Sequence, residues 1–122
     1  MTDEQIVLAR RAVACNGWRW MPGMLTADGE RVYTVREAPR PALHVCGPYG
    51  EVIRPREACN PDLTDPATLG CLLALVREAW GQDTWVQHEN EWTCFVVLDD
   101  QLDHYCGTSE AEALVAALEA AP

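Results

Sequence analysis

The strongest pattern in this chain is a helix whose start and end are both marked, and it constrains how the second half can fold. Asp65 followed by Pro66 is typical of an N-cap and a first helical residue, because the aspartate accepts a backbone N–H and proline has none to satisfy. Gly81 can adopt the left-handed conformation that ends a helix. Apolar residues recur between them at helical spacing: Leu69, Leu72, Leu73, Val76 and Trp80. An amphipathic helix is therefore predicted between Asp65 and Gly81.

Two strands and another helix are predicted after Gly81. Thr84–His88 can pair with Trp92–Leu98 across the turn Glu89-Asn90. The second of these runs is apolar on both faces, which predicts a central strand covered on both sides. Ser109 with Glu112 forms a capping-box pattern. It opens a helix with one apolar face: Ala111, Leu114, Val115 and Leu118.

The first half predicts a helix followed by strands. Thr2-x-x-Gln5 is a second capping-box pattern, and Gly17 is suited to end the helix that it starts. Asp28-Gly29 is a strong hairpin signal, with residues 24–26 and 31–36 as its strands. Five of the prolines fall between residues 38 and 62. That segment predicts short edge strands, such as Leu43–Cys46 and Glu51–Ile53, separated by turns.

The predicted fold class is α+β, an α/β sandwich in which an antiparallel sheet of hairpins packs with three helices. The order is helix, hairpin, short strands, helix, hairpin, helix, and adjacent strands pair, which excludes a βαβ arrangement. The length predicts a single domain over residues 1–122. It divides into an N-terminal helix–hairpin part, residues 1–61, and a C-terminal α-β-β-α part, residues 62–122.

The C-terminal part resembles a known family. The segment 62–70 (DLTDPATLG), the tryptophan-rich hairpin and the segment 109–115 (SEAEALV) resemble the α-β-β-α unit of small tailed-phage proteins, the phage ABA-sandwich family. The resemblance covers about residues 62–120. It implies the fold and a phage or prophage origin. It implies no functional residues, since that family has no agreed catalytic set.

The net charge is confined to the last third of the chain. Residues 1–77 carry nine arginines and nine acids, whereas residues 78–122 carry ten acids and no basic residue, which accounts for the whole net charge of −10. This asymmetry favours a basic partner and disfavours direct binding of nucleic acid. Because all the basic residues are arginine, whose guanidinium pairs bidentately with carboxylates, the neutral segment is expected to contain ion pairs.

Two His-x-Cys patterns suggest a zinc site. Alternate residues of a strand point to one face, so His44 with Cys46, and His104 with Cys106, could each present two ligands, with Cys59 as a fifth candidate. The Cys-x₂₋₄-Cys pattern of a zinc knuckle is absent, and the alternative is a pair of strand edges with partly buried thiols. A structural Zn²⁺ is the one cofactor that the sequence suggests.

Other chemistry finds little support. The cluster Asp99-Asp100-Gln101-Leu102-Asp103 lacks the glycine and the alternation of a calcium loop, so a solvated acidic loop is expected. No motif of a nucleophilic hydrolase, a P-loop or a dinucleotide-binding fold occurs. Trp18-Arg19-Trp20 interleaves aromatic rings with a cation as single-strand binders do, but the net charge opposes that function. The sequence therefore predicts a protein that is not an enzyme.

The start of the chain, Met-Thr-Asp-Glu-Gln, has no basic and apolar leader pattern, and the longest apolar run, Cys71–Val76, is too short to span a bilayer. We therefore expect a cytoplasmic location, without membrane contact and with reduced cysteines.

Two functions remain open from the sequence. In the first, the acidic segment forms one face that blocks a basic partner surface, as an inhibitor of a host nucleic-acid enzyme or of a host defence system would; anti-CRISPR proteins are one such class. The partner-facing residues are then Asp99, Asp100, Asp103, Glu89 and Glu91, with Trp18 or Trp85 as an aromatic anchor. In the second, the chain is a small phage accessory or assembly protein, stabilised by zinc. The acids could also serve only for solubility.

Overall fold

The fold is α+β, as predicted, and the computed structural model describes residues 1–81 and 83–122. Within those residues it contains three α-helices, a short 3₁₀ helix and two three-stranded antiparallel sheets. The elements follow one another along the chain as α1 (Asp3–Ala14), β1 (Arg31–Arg36), β2 (Ala42–Gly47), β3 (Gly50–Pro55), the 3₁₀ helix (Arg56–Ala58), α2 (Pro66–Trp80), β4 (Thr84–His88), β5 (Trp92–Leu98), β6 (Gln101–Gly107) and α3 (Glu110–Glu119).

Helix α2 begins and ends where the sequence predicts. Asp65 is its N-cap and accepts a hydrogen bond from the backbone N–H of Thr68. Pro66 is its first residue, and Gly81 caps its end with a φ of 85°. Helix α3 is capped by Ser109, whose hydroxyl accepts from the backbone N–H of Glu112. Local side-chain chemistry is sufficient to place both helices.

Helix α1 is shorter than predicted. Its capping box forms as expected between Thr2 and Gln5, but the helix ends at Ala14 with Cys15 as its C-cap, so Gly17 does not end it. Gly17 serves a different purpose. A Cβ at this position would lie 2.9 Å from the Cδ1 atom of Leu118 on α3. Glycine fits there without moving the Leu118 side chain, because the chain passes close against the last helix.

Sheet 1 is formed by β1, β2 and β3 in sequence order. Asp28-Gly29 does form a turn, but residues 24–26 contribute only isolated bridges, and β1 pairs with β2 instead. The strand predicted over Leu43–Cys46 is therefore central and not an edge strand. Proline-rich segments flank β2 without interrupting it, which explains how it can pair on both sides.

Sheet 2 is formed by β4, β5 and β6, and of its last strand the sequence suggested only the part from His104 to Cys106, in the zinc pattern. The hairpin of β4 and β5 forms between the two predicted runs, with Trp85 opposite Phe95. The prediction of an acidic loop over residues 99–103 is wrong. Asp99 and Asp100 alone make the turn, with φ values of 51° and 62°, and β6 begins at Gln101. Aspartate tolerates this left-handed backbone better than most residues, so a two-residue hairpin turn is possible here.

Helix α2 belongs to both cores of the protein. Its residues Leu72, Val76 and Trp80 pack with α3 and with Cys94 and Val96 of β5. Leu75, on another side of the same helix, packs in a second cluster against sheet 1. The N-terminal and C-terminal parts, residues 1–61 and 62–122, therefore share the packing of one helix.

Ion pairs connect the neutral segment, as the all-arginine composition predicts. Arg31 pairs with Asp65 at 2.6 Å, and Arg54 pairs bidentately with the buried Glu30. The others are Arg56 with Glu37, Arg19 with Glu78, and Arg11 with Glu119. The last two use acids of the acidic segment.

Among the described residues, no helix has the length and apolar character needed to cross a bilayer.

Candidate binding surface

Sheet 2 has one face packed on the helices and one face directed away from them. Cys94 and Val96 of β5 lie on the packed face, in the core with α2 and α3. The residues that alternate with these two along the strand point to the opposite side of the sheet. We call this side the outer face; its members are Trp85 and Gln87 of β4, Thr93, Phe95 and Val97 of β5, and Leu102, His104 and Cys106 of β6.

The prediction that β5 is covered on both sides is wrong. Phe95 and Val97 are only half-buried, and beside them Trp85 is 41% and Leu102 60% exposed. The apolar character of both strand faces does not come from two covering layers. It comes from a core on one side and an apolar surface on the other.

A row of three rings crosses the outer face from strand to strand. Trp85, Phe95 and His104 are direct neighbours in the sheet register. The rings of Trp85 and Phe95 stack with centroids 5.1 Å apart and an angle of 15°, and the ring of His104 lies 6.2 Å from that of Phe95. Cross-strand pairs of this kind hold each ring in a defined orientation. The row is therefore a continuous aromatic surface on this face of the sheet.

A shallow cavity of about 540 Å³ lies at one end of this row. Trp85 and Val97 form its apolar side, and Asp83 and Arg77 its polar side. The Nε of Arg77 donates a hydrogen bond to the carbonyl oxygen of Thr84 at 3.1 Å, which holds the guanidinium beside the cavity. A partner side chain can enter here next to the tryptophan.

The predicted acidic residues do not form a single face. The turn that carries Glu89 and Glu91 lies at one end of β5, and Asp99 and Asp100 lie at the other. Seven residues of strand separate the two turns by about 20 Å. The carboxylates therefore flank the aromatic row at its two ends. Within the described chain, none of the four forms an ion pair.

Asp103 differs from the other predicted acids because its carboxylate is hydrogen-bonded within its own strand. It is opposite Val96 in the register, on the side of the sheet that faces the helices, although it is exposed at the edge. Its carboxylate accepts from the backbone N–H of His104 at 2.8 Å and from the hydroxyl of Tyr105 at 3.3 Å. Burial and this carboxylate raise the pKa of Tyr105. Asp103 supports the edge of the sheet and does not belong to the outer face.

Trp18 is not an exposed anchor. It packs against both cores and meets Trp20 edge to face, with centroids 5.6 Å apart. Its indole N–H is buried and has no hydrogen-bond partner among the described residues. Of the two predicted anchors, only Trp85 is on an exposed face.

The structure does not bring the predicted zinc ligands together. His44 with Cys46 lies on sheet 1, and His104 with Cys106 lies on sheet 2. Cys59 is buried in the second core, where its thiol donates to the carbonyl oxygen of Pro55. In residues 1–81 and 83–122, no three His, Cys, Asp or Glu side chains are placed to hold a metal ion. Each His-x-Cys pair does share one strand face, as alternation requires, but neither is completed.

All six cysteines are free thiols. Burial raises the pKa of Cys94 to about 11, and the positive charge of Arg77 acts in the opposite direction. Burial also raises the pKa values of Cys15, Cys59 and Cys71. These four thiols stay protonated at neutral pH and are therefore weak nucleophiles.

Sequence reasoning missed Phe95, His104 and Leu102 as members of an exposed surface. Phe95 was assigned to a covered strand, and His104 was considered as a metal ligand. The signal that could have found Leu102 and His104 is the alternation in residues 101–107, where Leu102, His104 and Cys106 share one side of a strand.

Comparison with known proteins adds no relative: no family model, curated protein or solved structure gives a significant match to the chain.

Proposed function

We propose that this protein binds a protein partner through the outer face of sheet 2. The ring row of Trp85, Phe95 and His104 contacts an apolar patch of the partner, and basic side chains around that patch meet the carboxylates at the two ends of β5. The observation that carries the proposal is the stacked, 41% exposed Trp85 on a sheet face that no described helix covers. Exposed apolar faces of this kind are typical of interaction surfaces.

The energetics favour Trp85 as the central contact. Tryptophan is enriched among the residues that dominate protein interfaces, and its ring is already held by Phe95, so little side-chain entropy is lost on binding. The adjacent cavity of about 540 Å³ gives a partner side chain room beside the ring. A rigid anchor next to a cavity supports a specific contact.

Charge supports a basic partner. Glu89 and Glu91 at one end, and Asp99 and Asp100 at the other, are exposed and form no ion pair within the described residues. Carboxylates about 20 Å apart match basic residues distributed around an apolar patch better than they match one concentrated cationic site. The same charges oppose direct binding to nucleic acid.

The resemblance to small tailed-phage proteins extends this proposal. A phage or prophage protein with such a face would act in the host cytoplasm, without enzymatic activity of its own, by blocking a basic groove of a host nucleic-acid enzyme or defence complex. Anti-CRISPR proteins act in this general way. The rigid ring row and the acids that flank it would then compete with the enzyme's own nucleic acid.

The experiment is a pull-down from lysate of a bacterial host with three forms of the protein. The wild type and Tyr33→Ala should retain a nucleic-acid enzyme, Trp85→Ala should lose it, and retention should fall as salt rises. Tyr33 is the matched control because it is an aromatic residue of similar exposure, 43%, on sheet 1. Activity of the captured enzyme, assayed with and without the protein, then tests for inhibition.

Two outcomes would reject the proposal. Equal capture by wild type and Trp85→Ala would show that the outer face is not the contact. Recovery of virion proteins alone, or of the protein itself alone, would favour the second candidate, a phage accessory or assembly protein.

A further inference from the structure

A second surface lies on the helical side of the protein, away from the outer face of sheet 2. It is a groove of about 950 Å³ between the first two turns of α1, the segment before α2 and the start of α3. This volume is within the range of binding sites in proteins. None of the residues that line the groove belongs to the outer face, and the proposed function does not use the groove.

The floor of the groove is apolar. Leu63 and Ala111 lie at the bottom, each 5% exposed, and Leu8 and Leu69 are half-buried beside them. Val7 forms part of the wall and is 56% exposed, although it is an aliphatic residue on a helix. Such a floor buries the apolar side chains of a ligand and gains free energy from their removal from water.

The rim of the groove is acidic on two sides. Asp3 and Glu4 line it from α1, and Glu110 and Glu112 line it from α3. One cation, Arg11, lies among the lining residues that the structure describes. Its guanidinium is bound by the carboxylate of Glu119 through two hydrogen bonds of 2.6 and 3.1 Å, which neutralises it.

An anionic ligand does not fit this groove, although two helices start there. The N-cap side chains of Thr2 and Ser109 already accept from the backbone N–H groups of Gln5 and Glu112. The carboxylate of Glu112 also accepts from the hydroxyl of Thr108 at 2.8 Å. One backbone donor at each helix start is thus taken by the cap, and the carboxylates around the groove repel an anion.

We propose that this groove binds a basic amphipathic α-helix of a partner protein. The apolar side of that helix packs on Leu8, Leu63 and Leu69, and its lysine or arginine residues reach the carboxylates on both rims. A helix fits because its apolar residues lie along one side and its charged residues flank them on both sides, which matches an apolar floor between two acidic rims. A second copy of this chain does not fit as occupant, because its surface adds further negative charge.

The test is a titration of the full-length, ¹⁵N-labelled protein with synthetic peptides, followed by NMR. The probe is a 14-residue peptide (roughly four helical turns) with leucine on one side and lysine on the other. Saturable shifts are expected at the amides of Val7, Leu8, Leu69 and Ala111. A peptide of the same composition with scattered leucines, and one with glutamate in place of lysine, should give no saturable shifts at these positions.

Protein variants separate the groove from general charge attraction. Val7→Arg should weaken binding at least about tenfold, because it places a large cation in the groove wall. The double variant Glu4→Gln with Glu110→Gln should weaken binding about fivefold, through the loss of two exposed ion pairs. The matched control, Glu89→Gln with Glu91→Gln, removes the same charge at the turn of sheet 2 and should change nothing.

Three results would overturn the proposal: no saturable shift with the leucine–lysine probe, equal weakening in the two double variants, or shifts centred on Trp85 in place of the groove. The last result would instead place the peptide on the outer face. Groove shifts that depend on protein concentration without peptide would show self-association and would also overturn it.

Discussion

Asp65 links helix α2 to sheet 1, and its removal tests how the two halves of the protein are connected. It caps α2 through the backbone N–H of Thr68 at 3.0 Å and also accepts from the Thr68 hydroxyl at 2.9 Å. Its two oxygens accept from the guanidinium of Arg31 on β1 at 2.6 and 3.2 Å. Thr68 is fully buried and its hydroxyl oxygen accepts from the backbone N–H of Leu25. One carboxylate thus joins α2 to sheet 1.

The expected cost of Asp65→Ala follows from these contacts. Loss of the N-cap costs about 1 kcal/mol. The buried Thr68 hydroxyl loses its acceptor, which costs about 1 kcal/mol more. The pair with Arg31 adds less than about 1 kcal/mol, because the arginine side chain is 44% exposed and solvent screens the charge. We expect the free energy of unfolding to fall by about 2 to 3 kcal/mol in total. Asp65→Asn keeps a capping oxygen and should lose about 1 kcal/mol or less.

Urea denaturation at pH 7, followed by tryptophan fluorescence, measures these differences. The control is Arg56→Gln, which breaks the exposed pair with Glu37 and should cost less than about 0.5 kcal/mol. A loss below about 0.5 kcal/mol in Asp65→Ala would refute the capping argument, as would equal losses in the alanine and asparagine variants.

Three further predictions test other parts of the structure. Hydrogen bonds from Arg31 lower the pKa of Asp65. The stabilising contribution of this carboxylate is therefore complete above its ordinary pKa of about 4 and is lost as the pH falls below that value. Urea midpoints between pH 5 and 2 should fall more steeply for the wild type than for Asp65→Asn. Gly107→Ala should destabilise by about 1 to 3 kcal/mol, because a Cβ would lie 2.8 Å from the backbone nitrogen of Ala113. Gly70→Ala, in α2 with open space around it, should stabilise by about 0.5 to 1 kcal/mol in the same assay, and equal behaviour of the two glycines would contradict the packing. The double variant Asp99→Asn with Asp100→Gly should raise the free energy of unfolding by about 0.5 to 1 kcal/mol, and with it the thermal midpoint, because both positions have positive φ. A lower midpoint would reject the two-residue turn.

Local chemistry explains which elements could be predicted. The bounds of α2 and the start of α3 follow from Asp65, Gly81 and Ser109, whose side chains or backbone act within one helical turn. The hairpin of β4 and β5 follows from two apolar runs separated by a short turn. Such signals need no knowledge of distant residues, so one sequence is sufficient.

The errors arose where a distant contact decides the outcome. Glycine is typical of a helix end, but Gly17 does not end α1, and it lies close to Leu118, about a hundred residues away in the chain. Residues 101–107 are mostly polar or charged, and they become strand β6 because β5 offers them a pairing edge. The expected loop was the local interpretation of Asp99 and Asp100, whose left-handed backbone is stabilised by the hairpin that they close.

The candidate surface was likewise predictable in part from local sequence and in part only from contacts between distant residues. Net charge located the acids in the last third, and the pattern singled out Trp85 as one of two anchors. The register of sheet 2 then placed Glu89 and Glu91 about 20 Å from Asp99 and Asp100, and it aligned Trp85 with Phe95 and His104. Strand alternation is visible in a sequence, but the face that a core covers depends on where the helices pack.

The sequence by itself determined the α+β class, the starts of all three helices, one hairpin and the location of the negative charge. These features depend on side-chain capping and hydrophobic periodicity, which are local patterns of a few residues, and on composition, which requires no knowledge of the fold. Only the tertiary structure decided that α2 serves two cores, that β6 completes a sheet, and that one face of that sheet remains exposed with its rings aligned. Those outcomes depend on contacts between residues far apart in the chain, whose pairing is selected by the burial of the whole core.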